Sequence, residues 1–129
     1  MDISLIQKYY LARGLQFPSH KSALLFFLSE VGELAQAYET IESAVLSDEE
    51  RQLMRDFAQA GLHADEVVSR IPGWVRNNDR TRKENISYEI ADCLMMLSVF
   101  SYTFDGREAS HALLEKMEKK LGYPLSDVP

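Results

Sequence analysis

The chain is poor in cysteine, in long apolar runs and in positive charge. Its single thiol, Cys93, rules out a disulfide within the chain and is the usage expected in a reducing compartment. The longest unbroken apolar run, Ala23 to Leu28, is far shorter than the roughly 20 residues a helix needs to cross a bilayer. Met1-Asp2-Ile3-Ser4 places no basic stretch before an apolar run, so no signal peptide is expected and the expected location is the cytoplasm. Lys and Arg number 14 against 20 Asp and Glu, a net charge of −6, which disfavours nucleic acid and anionic membrane as partners. The three histidines, His20, His63 and His111, do not cluster, and the lone Glu108-x-x-His111 falls short of the two such motifs a ferritin-like di-iron bundle needs.

Strand signals are nearly absent as well, and helix punctuation takes their place. With 129 residues, 46% apolar and 26% charged, the chain has the length and composition of one globular domain, residues 1–129. A first helix is expected after Asp2, stopping before Gly14. Ser19 can cap a long second helix reaching about Ser43. Ser47-Asp48-Glu49-Glu50 reads as a capping box that opens a third helix ending at Gly61, and His63 to Arg70 reads as a short helix before Ile71-Pro72-Gly73. Thr81-Arg82-Lys83-Glu84 is a second capping box, opening a helix to Phe104. A last helix covers about Arg107 to Leu121, with Gly122 as its stop. The expectation is an all-α fold, a four-helix-bundle core with a helical insertion between residues 43 and 82.

Four acids fall where acids are costly. At 100° per residue, Glu30 and Glu33 share a stripe with Ala23, Phe26, Phe27, Leu34 and Ala37, while Ser29, Gly32, Gln36 and Glu39 mark the expected polar edge. Glu89 and Asp92 share a stripe with Tyr88, Met95, Met96, Val99 and Phe100, with Ser87, Ser98 and Ser101 opposite. Acids three residues apart are neighbours on a helix and can converge on one ion. A single acid at a core boundary ordinarily snorkels or pairs with Lys or Arg. Two such pairs in two apolar stripes point instead to a shared site that requires positive charge. All-oxygen donors without His or Cys favour hard Mg²⁺, Mn²⁺ or Ca²⁺ over zinc.

At these residues the sequence resembles the MazG-like branch of the all-alpha nucleoside triphosphate pyrophosphohydrolases. The first motif stands as Ser29-Glu30-Val31-Gly32-Glu33-Leu34-Ala35, the second as Tyr88-Glu89-Ile90-Ala91-Asp92-Cys93-Leu94. Lys21 matches a basic residue that many members carry at the start of the first helix. Lys116-Met117-Glu118 followed by Tyr123-Pro124 looks like the family's C-terminal end. The resemblance spans roughly Phe17 to Glu42 and Glu84 to Pro124. It implies Mg²⁺-dependent (Mn²⁺ as a substitute) hydrolysis of a (deoxy)nucleoside triphosphate to the monophosphate and pyrophosphate, as in the cleansing of nucleotide pools. Glu30, Glu33, Glu89 and Asp92 would serve as metal ligands and catalytic groups, and Lys21, Lys116 and Tyr123 match family positions expected near the substrate. Lys116 and Lys120 also flank the stripe of Leu113, Met117 and Leu121, so one of them could reach a phosphate, or both could only lay their stems on the core. A homodimer or homotetramer is implied too.

The chain also departs from the pattern. Fifty-five residues separate Glu33 from Glu89, Glu39-Thr40 stands where many relatives have Gln-Trp, Met96 replaces a common Tyr, and Lys120 replaces a common Asn. These changes touch the nucleoside pocket and leave the four acids complete. Trp74, ahead of the basic stretch Arg76 to Lys83, is a candidate base-stacking residue, although a tryptophan usually buries itself in a local core. Asn85 lies one turn before Glu89 and could orient a ligand, or only bond locally. Cys93 reads as an inert core thiol. Two rivals share the scaffold: a related pyrophosphatase such as phosphoribosyl-ATP pyrophosphatase, and a non-catalytic helical regulatory or interaction protein.

Overall fold

The computed structural model describes residues 2–41, 45–70 and 86–129, and all regular structure among them is helical. Helix α1 spans Ile3–Ala12, and the Asp2 carboxylate caps it by accepting from the Ser4 N–H at 2.9 Å and the Ser4 hydroxyl at 2.8 Å. These two hydrogen bonds hold the Asp2 carboxyl below its usual range. Ile3, Ile6 and Tyr10 recur at helical spacing and form the buried face. Helix α2, His20–Glu39, starts at Ser19, whose side chain accepts from the Ser22 N–H. The expected capping box is present: the Ser47 hydroxyl accepts from the Glu50 N–H at 3.1 Å while the Glu50 carboxylate accepts from the Ser47 N–H at 2.9 Å. Helix α4 spans Ile86–Asp105 and α5 spans Ala109–Leu121, the latter stopped by left-handed Gly122 at φ 83°. A 3₁₀ turn follows at Leu125–Asp127.

Two expectations are corrected by α3. It runs unbroken over Asp48–Ser69, so Gly61 is not a stop and His63 to Arg70 is not a separate helix. The reason is contact. Gly61 meets Gly32 so closely that a Cβ on either glycine would come within 2.6 Å of the other's Cα. Both are buried, with Ser29, Ala35 and Ala64 around them. The supposed polar edge of α2 is therefore its α3-facing side, and only Gln36 of its four residues is exposed there. Glu39 ends that side: Arg55 donates to its carboxylate at 3.1 Å, and Arg51 donates to its backbone carbonyl at the end of the helix.

Helix α2 is consequently packed on two sides, by α3 and by α4. The apolar core lies where α1, α2, α4 and the C-terminal end of α3 meet, built on Ile3, Ile6, Tyr10, Ala23, Phe26, Val68, Met96 and Val99. Full burial of an aliphatic or aromatic side chain of this size is worth roughly 1.5–3 kcal/mol. Ser98, expected at the solvent edge of α4, is buried and returns its hydroxyl to the Leu94 carbonyl at 2.8 Å. That bond satisfies it without water.

Replacing a mid-helix glycine by alanine ordinarily stabilises by about 0.8–1.0 kcal/mol. Here Gly32→Ala and Gly61→Ala should each do the reverse, costing about 1–3 kcal/mol in urea unfolding, because the added methyl must push two backbones apart. Unchanged or raised stability in both variants would contradict the contact.

Candidate metal centre

Three of the four expected acids meet. Carboxylate oxygens of Glu30, Glu33 and Glu89 all lie within 4.8 Å of one another. Glu30 and Glu33 come from the middle of α2, one turn apart, and Glu89 from the first turn of α4. The packing of α2 between α3 and α4 turns the two α2 acids toward Glu89. Glu89 is 2% exposed, and both Glu30 and Glu33 are half-buried. The oxygens Glu30 Oε2 and Glu89 Oε2 are closed to solvent. Asp92 is half-buried one turn beyond Glu89 and lies outside that trio.

The chemistry of this donor set fits a hard divalent cation. Oxygens bound to one Mg²⁺ at about 2.0–2.1 Å are at most ~4.2 Å apart, so small side-chain rotations bring the trio onto one ion. Two carboxylates at 4.8 Å repel by roughly 3 kcal/mol at an effective dielectric near 20. Three ionised carboxylates this close make a locus of negative potential.

Neighbouring groups register that field. Burial first, then the charges of Glu30, Glu89, Asp92 and Glu33, push the Cys93 thiol up to about 11. Cys93 is half-buried rather than in the core, and a thiol raised this far is a poor nucleophile. Tyr10 of α1 reaches the same region. Its phenol is pushed up to about 12, chiefly by burial, with Tyr9 and Glu30 adding to the effect, and it donates to the Met96 sulfur at 3.5 Å. Helix α3 adds Asp65, which lines a small cleft beside Glu33, Gln36 and the two contacting glycines, with Oδ1 closed to solvent. Sequence reasoning missed both Tyr10 and Asp65. Asp65 does stand one turn beyond Gly61, which would have flagged it had that glycine been placed inside a helix.

The remaining candidates are not gathered with the trio. Lys21 is exposed in the first turn of α2, nine residues and roughly 13–14 Å along the axis from Glu30. Lys116, Lys120 and Tyr123 are exposed on α5 and just beyond it, and no residue of α5 is buried, so the stems of Lys116 and Lys120 cover no core. Trp74, Asn85 and the Thr81–Glu84 capping box lie outside the described residues. No helix among the described residues is long and apolar enough to cross a membrane. Comparison with protein-family models, with curated proteins and with solved structures finds no match to this chain.

The thiol offers a direct test of the geometry in metal-free buffer. Thiolate is the reactive form, so at pH 8 Cys93 should alkylate on the order of a hundredfold more slowly than a thiol of ordinary pKa. Removing one negative charge by Glu30→Gln lowers the thiol pKa and should raise that rate several-fold without loss of helicity. An unchanged rate would place Cys93 away from the acids.

Proposed function

We propose that the chain hydrolyses a (deoxy)nucleoside triphosphate to its monophosphate and pyrophosphate with a divalent cation held by the acidic trio. One observation carries this reading: Glu30, Glu33 and Glu89, from two different helices, bring carboxylate oxygens within 4.8 Å of one another. Those residues sit in the Glu-Val-Gly-Glu and Glu-Ile-Ala-Asp segments that resemble the motifs of MazG-like pyrophosphohydrolases. Mg²⁺, or Mn²⁺ in its place, would neutralise phosphate oxygens and the charge growing on the departing pyrophosphate. Glu30, Glu33 and Glu89 would hold the cation, and the burial of Glu89 would limit the reorganisation its side chain undergoes. Asp92, half-buried one turn beyond Glu89, would add negative charge beside the site. Cleansing of nucleotide pools in the cytoplasm by a homodimer or homotetramer completes the proposal.

Pyrophosphate release from a panel of nucleoside triphosphates and phosphoribosyl-ATP, with Mg²⁺, tests this reading. Turnover of one or more nucleoside triphosphates should be abolished by chelator and reduced about a hundredfold or more by Glu89→Gln. Turnover of phosphoribosyl-ATP alone would move the activity to the related pyrophosphatase. Absence of turnover across the panel would favour the regulatory alternative, and turnover indifferent to Glu89→Gln would remove the site.

A further inference from the structure

Glu89 and Met96 stand seven residues apart on α4, two turns and roughly 10 Å along one face. Both are buried, at 2% and 3% exposure, and no residue of the helix between them is fully buried. Met96 is therefore the first fully buried apolar residue of α4 beyond its acids, with Val99 behind it in the same core cluster. Anchoring matters at this end of the helix. Three close carboxylates repel one another when ionised, and that repulsion pushes the start of α4 away from α2. Helix α2 is braced against α3 by the contact of Gly32 with Gly61, so α4 is the partner that can yield.

Methionine is a poor anchor by itself, because its unbranched side chain turns about several bonds and adapts to many shapes of cavity. Tyr10 of α1 restrains this one: its hydroxyl donates to the Met96 sulfur at 3.5 Å. Tyr10 is itself 3% exposed, and its ring is met edge-on by Phe17 at 5.3 Å and by Tyr9 at 5.9 Å. The Leu15 N–H donates to the Tyr10 carbonyl at 2.9 Å, which folds the chain back after Gly14 and brings Phe17 against the ring. On the α2 side, Phe26 belongs to the same core cluster and stands one turn before Glu30. The phenol is thus fixed in the core within one to two turns of the acids on both helices.

We infer that Tyr10 is a positioning residue of the acidic centre: by holding Met96 it keeps α4 at the height and rotation that set Glu89 beside Glu30 and Glu33. The inference rests on the cation reading of that centre and adds a third helix, α1, to its support. Tyr10 acts through another residue and on geometry alone. With its hydroxyl in place, Met96 is confined and the start of α4 has less freedom to retreat, so a cation meets a trio already gathered. Without the hydroxyl the ring still fills its place in the core, but Met96 is released and binding must first regather the acids.

Binding of Mn²⁺ alone to the full chain, followed by electron paramagnetic resonance, tests this beside thermal unfolding in metal-free buffer. Tyr10→Phe keeps the ring and removes only the donor. It should weaken Mn²⁺ binding roughly tenfold while lowering the metal-free melting temperature by only about 2–4 °C. Met96→Leu removes the acceptor and should weaken binding similarly, and the double variant should bind no more weakly than either single one. Tyr9→Phe, whose hydroxyl accepts from Arg13 on the exposed side of α1, should leave Mn²⁺ affinity unchanged. Should Met96→Leu fail to fold, Tyr10→Phe decides alone. A Tyr10→Phe variant that binds Mn²⁺ like the wild type overturns the inference and leaves the cation reading standing, as do losses that simply add in the double variant. A wild type that binds no Mn²⁺ removes both.

Discussion

Where Gly32 meets Gly61, main chain rests on main chain, and the placement of every acid follows from that contact. Helices normally pack at interaxial distances of 8–10 Å because side chains hold them apart. Two glycines facing one another, with Ser29, Ala35 and Ala64 around them, let α2 and α3 approach until only hydrogens separate them. With α2 seated against α3 on that side, its opposite stripe is committed to α4, and Glu30 and Glu33 lie on that stripe beside Glu89. Glu33 immediately follows Gly32 in the chain. A backbone contact thus fixes the main-chain position from which its side chain reaches the cluster.

The acid cluster itself illustrates what a small domain can tolerate. Domains of this size are stable by about 5–15 kcal/mol, and each pair in the trio repels by roughly 3 kcal/mol. A cation binding there would gain the relieved repulsion, and its occupancy would then be coupled to stability. Cys93 and Tyr10 resist ionising chiefly because they are buried, with nearby carboxylate charge adding to the effect.

Much of this was legible in the order of residues, and what was legible was local. The cap of α1 at Asp2, the box at Ser47 and Glu50, and the stop at Gly122 each depend on four or five consecutive residues. The stripe holding Glu30 and Glu33 follows from helical periodicity alone, as does the stripe of Glu89. Gly61 was misread because a glycine in a polar helix has two local meanings, a stop or a close approach, and the residue that decides between them is 29 positions away. The same error made Ser29 and Gly32 look like a solvent edge. Tyr10 and Asp65 escaped notice because they stand on other helices, α1 and α3, whose rotation about their own axes is set by docking.

The paired glycines also bear on how this fold can vary through evolution. Most contacts between helices can drift, since a larger residue on one side is accommodated by a smaller one opposite. At positions 32 and 61 there is nothing smaller to retreat to, so a change at either one has no partner change that restores the fit. Correlated substitution, the usual trace of spatial proximity between distant positions, would therefore be silent at this close approach. Its trace would be shared invariance instead, two glycines kept together wherever α2 and α3 keep this distance.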